Sequence, residues 1–452
     1  MRSRFRAVVF VCVFALSLGW LSSTYAENDR QDRHRIPAEH MSFRGAQWLE
    51  RDGRVAEERP EAVLDAMALE PGDVVADIGC GSGFYARRMA RRVQPGGTVY
   101  CEDIQPEMLE IMQQLADAEE VSGIESVLGT FTDPMLPEGE IDWLIIADVY
   151  HEMSDPEPML ANIRESLSPK GRVALLEYRV EDGTGDQIKA DHTMSVRQVL
   201  REWKAAGFEL VELHNFLPGQ HLFFFRSAGS EFEGEVLHDH DLFEAIENGL
   251  VEAEAVGAGE DAVTVQIRRT VDIPIVITSP VGAYFRGGGN TYDMIARRDG
   301  WIQLADDDWH GWSIRTVGRR WDRDAPKSDD ELEVLLPTTA PKLEELMYRI
   351  QVGTYTVADS PTLYPPRTHA VEQAAIWVAE SNLSYDELSS KLKDPRLPPQ
   401  YTVAFALVFL DLAGIDVTDR RLWNDRERVF GVLRDQGLSV WYQIKTTEAF
   451  SR

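Results

Sequence analysis

The stretch VVADIGCGSGFY, Val74–Tyr85, decides how the first half of the chain is read. VVADIG (74–79) is a short, mostly apolar run of buried-strand type, and FYARRMARRV behind it has the spacing of a helix. Between them Gly79, Gly81 and Gly83 alternate with small or polar residues. Such a loop lets backbone N–H groups approach a ligand that side chains would keep away. The G-x-G-x-G spacing differs from the G-x-G-x-x-G of dinucleotide sites. Asp103 closes the next strand, TVYCEDI (98–104), about 20 residues beyond the last glycine, where an acid takes two ribose hydroxyls. Loop and acid together predict an adenosine-type ligand at the carboxyl edge of a sheet, without choosing between cofactors.

Working outward, WLERDGRVAEERPEAVLDAMAL has helical spacing up to the break at EPGD, and residues 27–44 read as a polar, loose lead-in. After the second strand, PEMLEIMQQLADA is a helix, ESVLG a third strand, IDWLIIAD (141–148) a fourth, PMLANIRESL a helix and GRVALLEY (171–178) a fifth. SVRQVLREWKAAG is a further helix, and ELVELHNF and HLFFFRS form a hairpin around LPGQ. Alternation of strand and helix ending in one hairpin predicts an α/β fold, a mostly parallel seven-stranded sheet with an antiparallel edge pair, over residues 45–228. SAGSEFEGE reads as a linker, and DLFEAIENGLVEAEAV as a helix. Short strands then alternate to about residue 337, predicting a small β-sandwich-like unit (229–337), and helices return over 338–452.

Segments beyond the loop separate the cofactors. The run from DVVADIGCGSGFY through CEDIQPEML, IIADVYHEM and SPKGRVALLEYR resembles class I S-adenosylmethionine-dependent methyltransferases over about residues 48–226. The resemblance implies that S-adenosyl-L-methionine is bound by Asp77, Gly79, Gly81, Gly83, Asp103, Ile104, Met108, Asp133, Asp148 and Tyr150. Two departures are Cys80, where a small residue is usual, and GTFTDP, which offers Asp133 where the family has an acid near the adenine amine. A narrower likeness is to small-molecule methyltransferases, often exported bacterial ones. It rests on Arg51 and Arg54, on Tyr150, His151 and Glu152, on Glu177, Tyr178 and Arg179, on Lys189 and His192, and on Gln220 and His221.

Methyl transfer is an in-line displacement in which the protein aligns the reactants and removes a proton if the nucleophile carries one. His151 is the candidate base, because imidazole titrates near neutral pH, and Glu152 and Glu177 are candidates to orient it or bind substrate. His192 and His221, on a loop and a hairpin, are expected to be exposed. Other constellations carry structure rather than chemistry. In HDHD (238–241) an Asp caps the following helix, Asp306–Asp308 is an exposed turn, Trp301, Trp309, Trp312 and Trp321 fill a core, and AVEQAAIWV is a buried helix. No metal site is expected.

At 452 residues, with 44% apolar side chains, the chain holds two or three domains. Arg2, Arg4 and Arg6, an apolar run from Ala7 to about Leu21 and small residues to Ala26 have the order of a secretory signal, predicting export with cleavage after Ala26. Loss of those three Arg takes the net charge from −30 to −33. With eight Lys, none before Lys170, the chain lacks the clustered cations that nucleic acid or an anionic membrane requires. The expected partner is a small-molecule acceptor, with an envelope polysaccharide or protein as a candidate ligand for residues 230–452. The alternative is a non-catalytic envelope binding protein that retains the scaffold. The count of cysteines rules out a disulfide framework. Cys80 and Cys101 fall near neighbouring strands and could meet, but nothing in the sequence sets their geometry, so free thiols are expected.

Overall fold

Strands β1 (Val74–Ile78), β2 (Thr98–Asp103), β3 (Ile124–Leu128), β4 (Ile141–Ala147), β5 (Leu167–Tyr178), β6 (Phe208–His214) and β7 (Gln220–Ser227) form one sheet, in the order β3-β2-β1-β4-β5-β7-β6. The first five run parallel, and β7 is antiparallel to both its neighbours. Successive side chains of a strand point to opposite faces. Val75, Trp143 and Ala174 therefore enter one core, under α1 (Pro60–Met67), α2 (Ala86–Val93) and α3 (Pro106–Ala118), while Ala76, Leu144 and Val173 enter the other. That second core is covered by α4 (Pro156–Ser166) and α5 (Val196–Ala205). Because β1 lies between β2 and β4, the strand order reverses there, and a crevice opens at the carboxyl ends of β1 and β4.

The computed structural model describes residues 35–451 apart from 329, 336–340, 356–361, 393 and 395. The export signal expected over 1–26 lies outside the described residues. The helical pattern expected from Trp48 to Leu69 breaks into Ala46–Leu49, Arg54–Glu58 and α1. Pro60 supplies no N–H and crowds the residue before it, and Arg59 takes a left-handed conformation at φ 49°. The expected linker is docked. Glu231 N–H donates to Pro169 O at 2.7 Å, Arg226 to Phe232 O at 2.6 Å, and the Arg172 guanidinium lies 4.6 Å from the Phe232 ring centroid.

Beyond it, β11 (Ile275–Ser279) pairs in parallel with β8 (His238–Asp241) on one side and antiparallel with β14 (Gly300–Leu304) on the other. The expected helix over 241–256 stops after Leu242–Glu247 (α6), and Val251–Gly257 is strand β9. Asn248 and the left-handed Gly249 turn the chain between them, and the VEAEAV alternation then suits a half-buried strand. Asp241 caps α6, accepting from Phe243 N–H at 2.9 Å. Strand β9 joins β10 (Ala262–Arg269), β12 (Tyr284–Arg286), β13 (Met294–Ala296), β15 (His310–Gly318) and β16 (Glu331–Leu335). These six close into an antiparallel barrel in the order β10-β15-β13-β12-β16-β9, filled by Val263, Val265, Phe285 and Trp312. Trp309 departs from the core expectation, lying exposed with Arg268 over its ring.

Four longer helices follow, α7 (Pro341–Val352), α8 (His369–Ser381), α9 (Pro399–Leu412) and α10 (Gln436–Ser451), around a core of their own. Helices α8 and α9 are apolar on nearly all sides and are buried accordingly. Glu372 of α8 is fully buried and pairs with Arg297 and Arg298, both also buried. Removing one partner of such a cluster strands the others without water. Glu372→Ala is therefore expected to cost about 3–5 kcal/mol of unfolding free energy in urea denaturation.

Candidate functional site

The glycine loop is fastened to the end of β2 at four points. Gly79 N–H donates to Glu102 Oε2 at 3.1 Å, Cys80 N–H to Glu102 O at 2.8 Å, and Gly81 N–H to Asp103 Oδ2 at 3.0 Å. The fourth point is covalent: Cys80 and Cys101 form a disulfide, with Cα atoms 5.5 Å apart. This overturns the expectation of free thiols. Parallel pairing sets Asp77 opposite Cys101, so the strand end and the loop after it meet at bonding distance. Asp77 itself accepts Ala86 N–H at 2.9 Å, fixing the start of α2. Gly79 and Gly81 have φ of 63° and 53°, and a Cβ on either would collide with Val149 or Leu49.

The lead-in is not loose from residue 37 onward. Gln105 holds Phe43 N–H and Met41 O at 2.9 and 2.8 Å, and Glu50 accepts from Ser82 and from Arg87. Arg54 stacks 3.9 Å from the Phe84 ring centroid and bonds Glu58 at 2.8 Å. This segment thus roofs the crevice beside the glycine loop, while Arg51 lies over the Trp48 ring, pairs with Glu57 and comes within 3.8 Å of Glu58.

Beneath that roof lies a set of buried polar atoms without protein partners: Glu58 Oε2, Tyr85 Oη, Asp148 Oδ1, His151 Nε2 and Gln220 Oε1. Glu102 Oε1 adds another beside the loop. Buried polar groups are normally satisfied, and such a concentration marks a place where a ligand belongs. Asp148 sits at φ 56°, uncommon for a residue with a side chain, and its Oδ2 accepts from Gln220 at 2.7 Å. Burial, reinforced by Glu58 and Glu177, pushes the Asp148 carboxyl well above its ordinary range. Burial likewise lifts Asp77 and Glu152 to about 7 and Glu102 to about 8, and it raises Asp103.

His151 is buried, with Nδ1 2.7 Å from Glu177 Oε2, and its backbone N–H donates to Glu177 Oε1 at 3.1 Å. Burial opposes its cation, but the Glu177 carboxylate outweighs burial and raises the pKa. The bond at Nδ1 leaves Nε2 as the atom able to take a proton from another group. His192 stands beside this pair, its ring centroid 5.1 Å from that of His151.

Several expected residues lie elsewhere. Tyr150 does not line the cofactor crevice: its ring packs on Trp203 of α5, and its hydroxyl donates to Glu202 at 2.9 Å. His221, expected to be exposed, is buried, bonding Glu181 at 2.9 Å and meeting Trp301 edge-on. Asp133 accepts Met135 N–H at 2.8 Å within its own turn, and Arg179 is spent on the carbonyls of Asn215, Leu217 and Gln220. Lys189 lies over the Tyr364 ring. Ile104 and Met108 follow Asp103 directly, in the bend and the first turn of α3. Sequence reading missed Glu58, Tyr85 and Glu102, although Glu58 stands in the EERP segment and Glu102 adjoins Asp103. Among the described residues no cluster suited to a metal ion occurs.

Residues 69–216 match the family model described as "Methyltransferase domain". Among curated proteins, the chain is 30% identical over 122 residues to 2-phytyl-1,4-naphtoquinone methyltransferase of Trichormus variabilis, covering 26% of this chain and 52% of that protein. It is 25% identical over 195 residues to arsenite methyltransferase of Halobacterium salinarum, covering 41% of this chain and 47% of that one. A solved SAM-dependent methyltransferase from Aquifex aeolicus aligns at 22% identity and a TM-score of 0.39, over 41% of this chain and 98% of that chain. The chain spans about half the length of these two curated relatives. The first half of the chain holds a class I methyltransferase domain. Its cofactor is S-adenosylmethionine, and the glycine cradle and unpartnered carboxylate oxygens fit that group.

Two predictions follow from this geometry. Glu177→Gln should lower the His151 pKa, read by NMR titration of the imidazole. Because the folded value is raised, the pair stabilises the protein fully below the unfolded imidazole pKa of about 6.5 and loses that effect as pH rises through the folded value. Replacing Cys80 and Cys101 together by Ala should lower unfolding stability by roughly 2–4 kcal/mol and weaken S-adenosylhomocysteine binding, measured by calorimetry.

Proposed function

We propose that the protein transfers a methyl group from S-adenosylmethionine to a small molecule, with His151 as general base. The observation that carries this reading is the buried His151–Glu177 pair, whose Nε2 is unpartnered among Asp148, Glu58 and Tyr85 at the crevice. Bound S-adenosylmethionine supplies an electrophilic methyl on a sulfonium. The chain's part is to hold and to deprotonate. Asp103 and Glu102 face the glycine loop and suit ribose hydroxyls, Asp148 and Asp77 are carboxyls that ionise more readily once a cation lies beside them, and Glu177 keeps His151 oriented. The set of unpartnered polar groups supports a working site rather than a retained scaffold.

The matched relatives' names include a naphthoquinone derivative, nocamycin and arsenite, so ring carbon, oxygen and arsenic acceptors are the first to screen. Turnover is read as S-adenosylhomocysteine release. His151→Asn should abolish it while leaving S-adenosylhomocysteine binding within about twofold, whereas Asp103→Ala should weaken binding at least about tenfold. Wild-type protein that binds neither ligand would defeat the reading. Since burial holds Asp77, Glu152 and Glu102 near pH 7–8, binding the sulfonium cation should release protons, and S-adenosylmethionine affinity should rise from pH 6 to pH 8. Calorimetry in two buffers of different ionisation enthalpy reads that release.

We also propose that the protein is exported and cut after Ala26. The N-terminal order of charges and apolar residues supports this, as does a disulfide in the cofactor loop, which persists best in an oxidising compartment. N-terminal sequencing of protein from fractionated cells tests it. The cores centred on the sheet, the barrel and the helices support a division at residues 45–228, 229–337 and 338–452, although Val276 packs into a sheet core and Ile295 and Val317 into the helical one.

A further inference from the structure

Methyl transfer leaves the second half of the chain without a role, yet several of its polar side chains converge on one loop. Residues 179–195 join β5 to α5 and bring His192 beside His151. Within the loop, His192 Nδ1 lies 2.7 Å from Asp191 Oδ1, so two imidazole–carboxylate pairs stand side by side.

Four anchors reach this loop from beyond residue 290. Arg315 of β15 makes a two-pronged pair with Asp186, at 3.0 and 2.6 Å. Tyr364 donates its hydroxyl to Asp191 Oδ2 at 3.4 Å. Arg367, just before α8, donates to Thr193 Oγ1 at 3.2 Å and to Gly185 O at 3.5 Å, while its other nitrogen holds Gln351 O at 3.0 Å. Asp299 accepts from Ser195 Oγ at 2.6 Å and is itself held by Val281 N–H and the Gln351 amide.

Arg367 is the informative member. It is buried among carbonyl and hydroxyl oxygens, and burial together with neighbouring Arg298 lowers its pKa to about 9. A cation placed out of water without a bonded carboxylate is costly, and its hydrogen bonds go to the loop and to α7. Within the first half of the chain the loop is held at its two ends, by Arg179 on three carbonyls, by Glu181 on His221 and Val196 N–H, and by Met194 N–H on Tyr178 O. Its glycines at 183 and 185 add freedom, and its buried apolar residues are confined to Val180, Ala190 and Met194.

We propose that Arg315, Tyr364, Arg367 and Asp299 are positioning residues. The second half of the chain acts as a brace that holds residues 183–195, and with them the Asp191–His192 pair, against His151–Glu177. This rests on the reading of His151 as the base. It gives residues 230–452 a function that needs no ligand of their own.

The test uses the full chain carrying Arg367→Ala or, at a partly exposed pair, Arg315→Gln, with histidine-labelled protein for NMR. Amide hydrogen exchange over 183–195 should accelerate about tenfold, and the His192 and His151 imidazole signals should move. S-adenosylhomocysteine affinity should stay within about twofold, because the glycine loop and Asp103 are not touched. A contact that serves only stability would change neither the loop nor the imidazoles. Unchanged exchange and unchanged imidazole signals in Arg315→Gln would overturn the brace. Failure of the wild type to bind S-adenosylhomocysteine would instead overturn the methyltransferase reading, and the exchange and NMR readouts would still decide the brace.

Discussion

The fastening of the glycine loop to the end of β2 is the constraint on which the site depends. Parallel pairing of β1 with β2 delivers Gly79 and Asp103 to the same edge, but pairing alone leaves a three-glycine loop with many conformations. Glu102 and Asp103 remove that freedom by accepting backbone amides, and the Cys80–Cys101 bridge removes it covalently. The two carboxylates have a second consequence. Their burial keeps them reluctant to ionise, so negative charge appears at the loop most readily when a cation or a set of hydroxyls arrives to share it.

The same economy operates across the crevice. Asp148 is held in a left-handed conformation with one oxygen on Gln220 and the other unpartnered, and the roof from Met41 to Glu58 presses Arg54 and Glu58 towards it. His151 is oriented by Glu177 through both its ring and its backbone, which leaves a single nitrogen to do proton work. The polar groups are thus prearranged by strand ends and short turns rather than by mobile surface loops. That arrangement limits the reorganisation required when a ligand binds.

The parallel sheet was legible because its signals are local. VVADIG, IDWLIIAD and GRVALLEY are buried runs of strand length, and each is followed by a turn and a helical pattern. Asp77, Asp103, Asp148 and His151 were legible for a related reason, since each sits at or just past a strand end. What escaped depended on pairing at a distance. The bridge required the register that places Asp77 opposite Cys101, the role of Glu102 required the loop to fold back on β2, and Tyr150 took the other face because α5 offers Trp203 and Glu202. His221 was misread as exposed because the surface that covers it, around Trp301, is about 80 residues away in sequence. The break at Pro60 was local and readable, but the helical spacing around it masked it.

Phe232 gives the boundary between the halves a meaning beyond geometry. A segment with the composition of a linker folds back, covers the Arg172 side chain and ties its own backbone to Pro169 and Arg226. A boundary drawn in sequence pattern near residue 228 is therefore not a boundary in free energy. The methyltransferase half buries part of its own surface under the segment that follows it, so a chain cut there would uncover Arg172 and leave Pro169 O without its partner. An insertion at the junction would be felt on both of its sides, because the same few residues finish the surface of one half and begin the fold of the next.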